Sequence, residues 1–359
     1  MSRELLRLEA LPVYQNKVFS TAAEARACPT GDVVLQQDAR TGLVSNVAFD
    51  PARLAYDGSY QNEQGHSTAF QRHLDEVADL VGVHLGGGSI LEVGCGKGAF
   101  LARLRSDGLD ARGVDPAYEG DAPYIVAKAF SPDLGLSGEG IVLRHTLEHL
   151  QDPYGFLALL REANGGGGRI YIEVPCLDWI LDHRAWFDFF YEHVNYFRAR
   201  DFERLFTERL ALGHLFGGQY LYVVADLASL RDPAHARLGP PAEVHFPDDL
   251  MLGLARCAAQ SDSSRPQLVW GAAAKGATYA LHMQRRGVAF ATAVDINPAK
   301  QGRFLPTTGL SIEPPEEALA RLGPGVDIHV MNSNYLDEIR ALAGAGHRYL
   351  VADAPPPNG

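Results

Sequence analysis

The densest chemistry in the chain lies in Ser89-Ile-Leu-Glu-Val-Gly-Cys-Gly-Lys-Gly-Ala-Phe-Leu101. Apolar Ile90–Val93 reads as a buried strand, Gly94, Gly96 and Gly98 as a turn, and Phe100, Leu101 and Leu104 as the inner face of the helix that follows. Glycines spaced this way let backbone turn tightly and approach a ligand closely, with the first helix amides aimed at it. Asp115 lies 17 positions after Gly98 and closes a second short strand, Gly113-Val114-Asp115. A carboxylate there can accept hydrogen bonds from both ribose hydroxyls of an adenosine. Dinucleotide sites use G-x-G-x-x-G, in which the helix amides face a pyrophosphate. Here the order is E-x-G-x-G-x-G, and Glu92 at the strand end suits a cationic ligand group better.

Four further constellations could touch a cofactor or substrate. Arg144-His145-Thr-Leu-Glu148-His149-Leu150-Gln-Asp152-Pro153 leaves a buried strand at its C-terminal end, where open α/β sheets place ligands. His149 there is a substrate or cofactor contact, or else a buried imidazole bonded to backbone. Phe189-Phe190-Tyr191-Glu192-His193-Val-Asn195-Tyr196-Phe197 is walled by aromatics, which raise the cost of charge, and a carboxylate beside an imidazole can orient it as a base. The alternative is aromatic packing around one satisfied histidine. Tyr60, Gln64 and Ser67 precede the first long helix as a possible lid over the cofactor, or as ordinary loop polarity. Gly271-Ala-Ala-Ala-Lys275-Gly276 joins strand to helix without the Lys-Ser/Thr pair of a Walker loop. Lys275 and the helix amides could hold a phosphate or diphosphate, or the segment is simply a tight turn. Asp295-Ile-Asn297-Pro-Ala-Lys300-Gln-Gly302 occupies the matching place after the next strand.

The elements that must position these groups alternate. A helical stripe (Phe70, Leu74, Val77, Ala78, Val81, Leu85) precedes strand Ile90–Val93, helix Ala99–Ser106, strand Ala111–Val114 and a short strand Tyr124–Ala127, with Phe130 just beyond. Strand Ile141–His145, a helix over Pro153–Ala163 and strand Arg169–Val174 follow. A helix near Arg200–Arg209 and strands Ala211–Phe216 and Tyr220–Ala225 finish the sheet, an end that often carries an antiparallel edge strand. The pattern is that of an open, mainly parallel sheet with helices on both faces. Leu230 to Phe246, rich in Pro, Gly and charge, reads as a linker with room for one helix. A second alternation then runs through strand Leu268–Gly271, helix Ala277–Arg286, strand Ala289–Val294, strand Ile328–Met331, helix Leu336–Ala343 and strand Tyr349–Ala352. Before all this, Val33–Gln36 and Leu43–Ala48 read as short strands in an appendage too poor in core to stand alone. The expected division is an appendage and lid over 1–66, a first α/β domain over 67–228, a linker over 229–247 and a smaller Rossmann-like domain over 248–359.

Composition narrows the function classes. The 359 residues are 46% hydrophobic and 21% charged, ordinary for a globular chain of two domains. A net charge of −12 offers no basic field to recruit nucleic acid or an anionic membrane. Neither a signal peptide nor a membrane-spanning run is expected. Cys28, Cys95, Cys176 and Cys257 are scattered without a C-x-x-C pair, which points to reduced thiols and a cytoplasmic protein.

The E-x-G-x-G-x-G stretch followed by Asp115 resembles motif I of the class I S-adenosylmethionine (SAM) methyltransferases, whose first acidic residue sits near the methionine moiety. SAM is a sulfonium with an already activated methyl, so a base is needed only when the nucleophile holds a proton at neutral pH. Leu91–Gly98, Arg144–Leu150, Glu192-His193, Gly271–Gly276, Asp295–Gly302 and Asn334-Tyr335-Leu-Asp-Glu-Ile339 together resemble the C-methyltransferases of nucleotide-linked deoxysugars in bacterial natural-product pathways. The resemblance spans most of the chain, and the Gly271 and Asp295 segments are its most diagnostic part. It implies a class I methyltransferase domain with a Rossmann-like C-terminal domain, SAM as cofactor, S-adenosylhomocysteine as product, and a small nucleotide-linked ketone as substrate. His193 is then the base that removes the proton beside a 4-keto group, with Glu192 its neighbour, Tyr191 adjacent and His149 a second active-site histidine. Glu92, Gly94, Gly96, Gly98, Asp115, Phe130, Arg144, Tyr60 and Gln64 fall to the cofactor, and Lys275, Tyr196 and Asn195 to the substrate.

Two departures stand out. The family's four-cysteine zinc site retains only Cys28, so no metal is expected, and Phe190 replaces a pocket tyrosine. Methylation of nitrogen or oxygen in another small intermediate therefore stays open, as do an NAD oxidoreductase and a non-catalytic SAM-binding protein. A monomer and a homodimer are both compatible with the sequence.

Overall fold

The computed structural model describes residues 3–54 and 65–354. Its central feature is a seven-stranded sheet. From Ile90–Val93 the chain steps to one side through Ala111–Val114 and Ile125–Val126, then returns to the other side through Gly140–Arg144 and Arg169–Pro175. These five strands are parallel, and the innermost are buried and mostly apolar because helices cover both faces, with Glu92 and Glu173 as the acidic exceptions. The reversal of direction puts the topological switch point between Ile90–Val93 and Gly140–Arg144. Ligands of doubly wound sheets bind beyond the strand ends at that point, and both candidate motifs leave from there. The antiparallel member is not at the edge. Tyr220–Asp226 is inserted between Arg169–Pro175 and the outermost strand, Arg209–Leu215.

Helix Thr68–Leu85 begins at Ser67, whose side chain accepts a hydrogen bond from the Phe70 amide at 3.2 Å. Its stripe of Phe70, Leu74, Val77, Ala78, Val81 and Leu85 is buried on the sheet together with Phe100, Leu101 and Leu104 of helix Ala99–Ser106. Apolar periodicity located helix Ala99–Ser106 and strand Ala111–Val114 at their observed bounds.

The N-terminal sheet is antiparallel and holds Glu4–Pro12, Thr30–Gln37, Val44–Asn46 and, from far along the chain, Asn195–Tyr196. Glu4–Pro12 escapes sequence reading because its burial does not alternate cleanly. The fourth strand belongs to the aromatic Glu-His segment, so the appendage is knitted into the site by main-chain bonds. Its Leu11, Val13, Val33 and Leu35 share one core with Phe187, Phe189 and Tyr196.

Within 230–246 a short 3₁₀ turn, Ala236–Leu238, stands in place of the helix. Beyond it, a sheet of five parallel strands is centred on Gln267–Trp270, with Thr292–Val294 and Ile312–Glu313 on one side and Asp327–Val330 and Arg348–Val351 on the other. This is a second doubly wound unit, and its switch point again follows the central strand. No helix among the described residues is long and apolar enough to cross a membrane.

Candidate functional site

The glycine loop meets two different demands. Gly94 and Gly98 have φ of +79° and +81°, and a Cβ on either would collide with Thr146 Oγ1 at 2.2 Å or Ile125 Cδ1 at 2.4 Å. Packing alone requires them. Gly96 also has a positive φ, +55°, yet a Cβ there would meet nothing within 4 Å. Gly96 is therefore the position at which the backbone faces open space. Its N–H donates to Asp115 Oδ2 at 2.8 Å, and the Ala117 N–H donates to Asp115 Oδ1 at 2.7 Å. A carboxylate has about four acceptor positions, so Asp115 retains capacity for a pair of ribose hydroxyls. Helix Ala99–Ser106 starts at Gly98 with no side-chain cap, leaving its first amides directed at the same space.

Glu92 is only 2% exposed. Burial pushes its carboxyl up to about 7, against the opposing pull of Arg144, and its Oε2 has no hydrogen-bond partner among the described residues. Such an orphaned buried acceptor fits a cationic ligand group close by. Phe130 is half-buried, edge-on to Phe156. Tyr60 and Gln64 lie outside the described residues. Ser67 is not free to serve as a lid contact, because its hydroxyl donates to Glu338 Oε2 at 2.6 Å.

Glu173 is a residue that sequence reading passed over. It is fully buried at 0% exposure, yet Tyr171 donates to its Oε2 at 2.8 Å and Arg144 to its Oε1 at 3.1 Å. His73 Nε2 stands 3.2 Å from Oε1, and His145 Nε2 makes an ion-pair contact with it at 3.0 Å, outside hydrogen-bond alignment. Burial works to raise the Glu173 carboxyl, but Arg144 and the two histidines overcome it and hold the group well below the usual range. The sign of this hub was present in Arg-Ile-Tyr-Ile-Glu-Val-Pro, a lone acid inside an apolar strand. Arg144, placed with the cofactor from sequence, is paired to Glu173 and packed over the Phe100 ring at 4.5 Å. His145 adopts φ +48°, an uncommon conformation for a side-chain-bearing residue, at the end of the same strand.

His193 is 6% exposed. Burial, with the side chains of His149, His145 and Lys275 nearby, holds its imidazole well below the usual range, so it is neutral. Its ring meets Phe190 edge-on at 4.9 Å and His149 at 5.0 Å. His149 Nδ1 lies 3.0 Å from the Glu192 carbonyl.

Among the described residues, no hydrogen bond joins the Glu192 carboxylate to the His193 ring. That carboxylate turns to the N-terminal appendage, where Oε1 accepts the Gln15 N–H at 2.7 Å. Side chains of successive residues diverge in this segment, so adjacency in sequence separated the pair. Glu148, carried in the motif without a role, is the carboxylate beside His193: one ligand-capable atom of each of Glu148, His149 and His193 lies within 4.8 Å of the others.

The remaining candidates have partners within the protein. The Tyr191 hydroxyl accepts from the Asp50 N–H at 2.9 Å, and the Tyr196 hydroxyl accepts from the Phe190 N–H at 3.0 Å and donates to the Phe190 carbonyl at 3.2 Å. Asn195 Nδ2 donates to the Leu150 carbonyl at 2.5 Å. The buried Nζ of Lys275 is paired with buried Asp188 at 2.7 Å and lies 5.3 Å from the Trp179 ring centroid. The second glycine turn repeats the first. The Ala272 N–H donates to Asp295 Oδ2 at 2.9 Å, as Gly96 does to Asp115, and Lys300 Nζ approaches the same oxygen at 3.2 Å. The Ala274 amide is taken by Asn16 Oδ1 at 3.2 Å.

Residues 62–209 match the family model described as a methyltransferase domain, and residues 250–345 match that of the C-methyltransferase C-terminal domain. The tRNA U34 carboxymethyltransferase of Dichelobacter nodosus is 32% identical over 144 residues, covering 33% of this chain and 45% of that protein. The chain thus spans less than half the length of that curated relative. A SAM-dependent methyltransferase from Archaeoglobus fulgidus shares 17% identity at a TM-score of 0.33, covering 45% of this chain and all of that one. Magnesium protoporphyrin IX methyltransferase from Synechocystis PCC 6803, with bound S-adenosylhomocysteine, shares 14% identity at 0.34, covering 46% of this chain and 84% of that one. The chain thus joins a methyltransferase domain to a C-methyltransferase C-terminal domain.

Proposed function

We propose that this protein methylates a carbon beside the ketone of a small nucleotide-linked keto-deoxysugar, with His193 as the general base. SAM supplies an electrophilic methyl group when bound at the Gly96 loop. Asp115 and the amides of helix Ala99–Ser106 would hold its adenosine, and Glu92 would face its cationic end. The chain's own task is to make the carbon nucleophilic. A carbon acid must lose its proton to a group that is neutral at working pH and shielded from water. The observation that carries this reading is His193, a buried neutral imidazole with Lys275 of the C-terminal domain close enough to act on its charge. Lys275, released from Asp188, is the group offered to a diphosphate.

Solvent deuterium exchange tests the reading without methyl transfer. A nucleoside-diphosphate-linked 4-keto-deoxysugar incubated with the protein in D₂O should exchange the proton beside its ketone. His193→Ala should slow that exchange by about 10²–10⁴. Radiolabel from SAM should then appear at the same carbon. Label arriving on nitrogen or oxygen, with no exchange, would replace this reading by N- or O-methylation of another intermediate, which the missing hydroxyl at Phe190 favours.

A further inference from the structure

We infer that Glu148, His149 and His193 form a site for a single zinc-class divalent cation, and that a bound cation and proton abstraction by His193 exclude each other. The second half rests on the function proposed above; the first does not. The three ligand atoms lie within 4.8 Å of one another. In a loaded site, ligands about 2.0–2.2 Å from the metal are roughly 3–3.5 Å apart, so small side-chain rotations close the gap.

Each donor is prepared for such an ion. Glu148 is 1% exposed, and neither carboxylate oxygen has a hydrogen-bond partner among the described residues. Its one neighbouring cation there is His145, whose Nδ1 makes an ion-pair contact at 3.4 Å. A buried carboxylate with so few donors is costly until a cation meets it. His149 has its Nδ1 against the Glu192 carbonyl, so the ring proton sits on Nδ1 and the Nε2 lone pair is exposed to a metal. Metal-bound imidazoles are usually held this way, by a carbonyl or carboxylate on the far nitrogen. His193 is buried, and its Nδ1 lacks a partner among the described residues. Half-buried His149 leaves a route of entry from the cleft. Two imidazoles and one carboxylate select zinc, cobalt or iron over magnesium or calcium, which prefer all-oxygen shells.

The mutual exclusion follows from His193. A lone pair donated to a cation is not available to take a proton from carbon.

Cobalt(II), a zinc surrogate with visible d–d absorption, tests both halves on the full-length protein. Titration should give a saturable band at one cobalt per chain, displaced by zinc and removed by EDTA. Glu148→Gln should weaken cobalt binding at least tenfold, and His149→Gln serves if that variant does not fold. Exchange of the keto-sugar proton should fall in step with cobalt occupancy and return with EDTA. Absence of a saturable band in the unaltered protein, or a band unchanged in both variants, overturns the site. Exchange that rises with cobalt overturns the exclusion. The spectral titration needs no substrate, so it stays readable if the keto-sugar proves wrong. A His193→Ala protein that loses the band but keeps full exchange would uphold the site and remove His193 as base.

Discussion

Glu192 and His193 are consecutive in the chain but serve different parts of the molecule. The Glu192 carboxylate receives the Gln15 amide of the N-terminal appendage at 2.7 Å, whereas the His193 ring meets His149 at 5.0 Å. Replacing the two should therefore separate stability from chemistry. Glu192→Ala leaves a buried N–H unpaired and should cost about 1–3 kcal/mol, read as a lower denaturation midpoint. Exchange per folded molecule should fall far less than in His193→Ala. Equal losses of exchange in both, with stability unchanged, would return Glu192 to the chemistry.

The glycine loop yields a similar contrast. Gly94→Ala must displace Thr146, whose Oγ1 would sit 2.2 Å from the new Cβ, and should lower stability by about 1–3 kcal/mol through overpacking. Gly96→Ala meets only left-handed strain of about 1 kcal/mol while placing a methyl where the cofactor approaches. Calorimetry should show SAM affinity reduced roughly tenfold or more in a protein of near-normal stability, since 1.4 kcal/mol is a factor of ten. Normal SAM binding by Gly96→Ala would move the cofactor away from this loop.

Glu173 makes stability depend on acid in a predictable direction. Its folded carboxyl is held well below the unfolded value. The stabilisation it gives is complete above the unfolded value, about 4.3, and is lost as pH falls from there towards the folded value. Glu173→Gln leaves Arg144 buried without its counter-ion and should cost about 3–5 kcal/mol near neutrality. Denaturant midpoints of the two proteins should converge as pH drops from 6 towards 3. A constant gap across that range would mean that the carboxyl is not ionised in the folded protein.

What could be read from sequence was what short range determines. Helix Ala99–Ser106 and its glycine turn declare themselves through periodicity and backbone freedom, within one stretch of chain. The unread part depends on partners distant in sequence. Glu148 and Glu173 look like isolated acids until folding brings His193 and His73 to them, over separations of 45 and 100 residues. The hydroxyls of Tyr191 and Tyr196 looked available because nothing local reveals that Asp50 and Phe190 occupy them. Asn195–Tyr196, a two-residue strand, has no pattern of its own and exists because Val44–Asn46 offers it an edge.

The Lys275–Asp188 pair joins the two α/β domains and should govern both stability and anion binding. Asp188 is buried, and so is the Nζ of Lys275, although the rest of that side chain is partly exposed. Lys275→Ala strands a buried carboxylate and should cost about 3–5 kcal/mol. Asp188→Asn leaves the Lys275 ammonium buried without its counter-ion and should cost a comparable amount, and the double variant should cost less than the sum. The substrate proposal adds a second expectation, because a diphosphate must compete with Asp188 for Lys275. Asp188→Asn removes the competitor, so a nucleoside diphosphate alone should bind it several-fold more tightly than the unaltered protein. Lys275→Ala should bind it at least tenfold more weakly. The two effects have opposite signs and come from opposite ends of one ion pair, so general damage to the cleft cannot mimic them. Calorimetric affinities that are the same in all three proteins would leave Lys275 as a strut between domains and move the phosphate elsewhere.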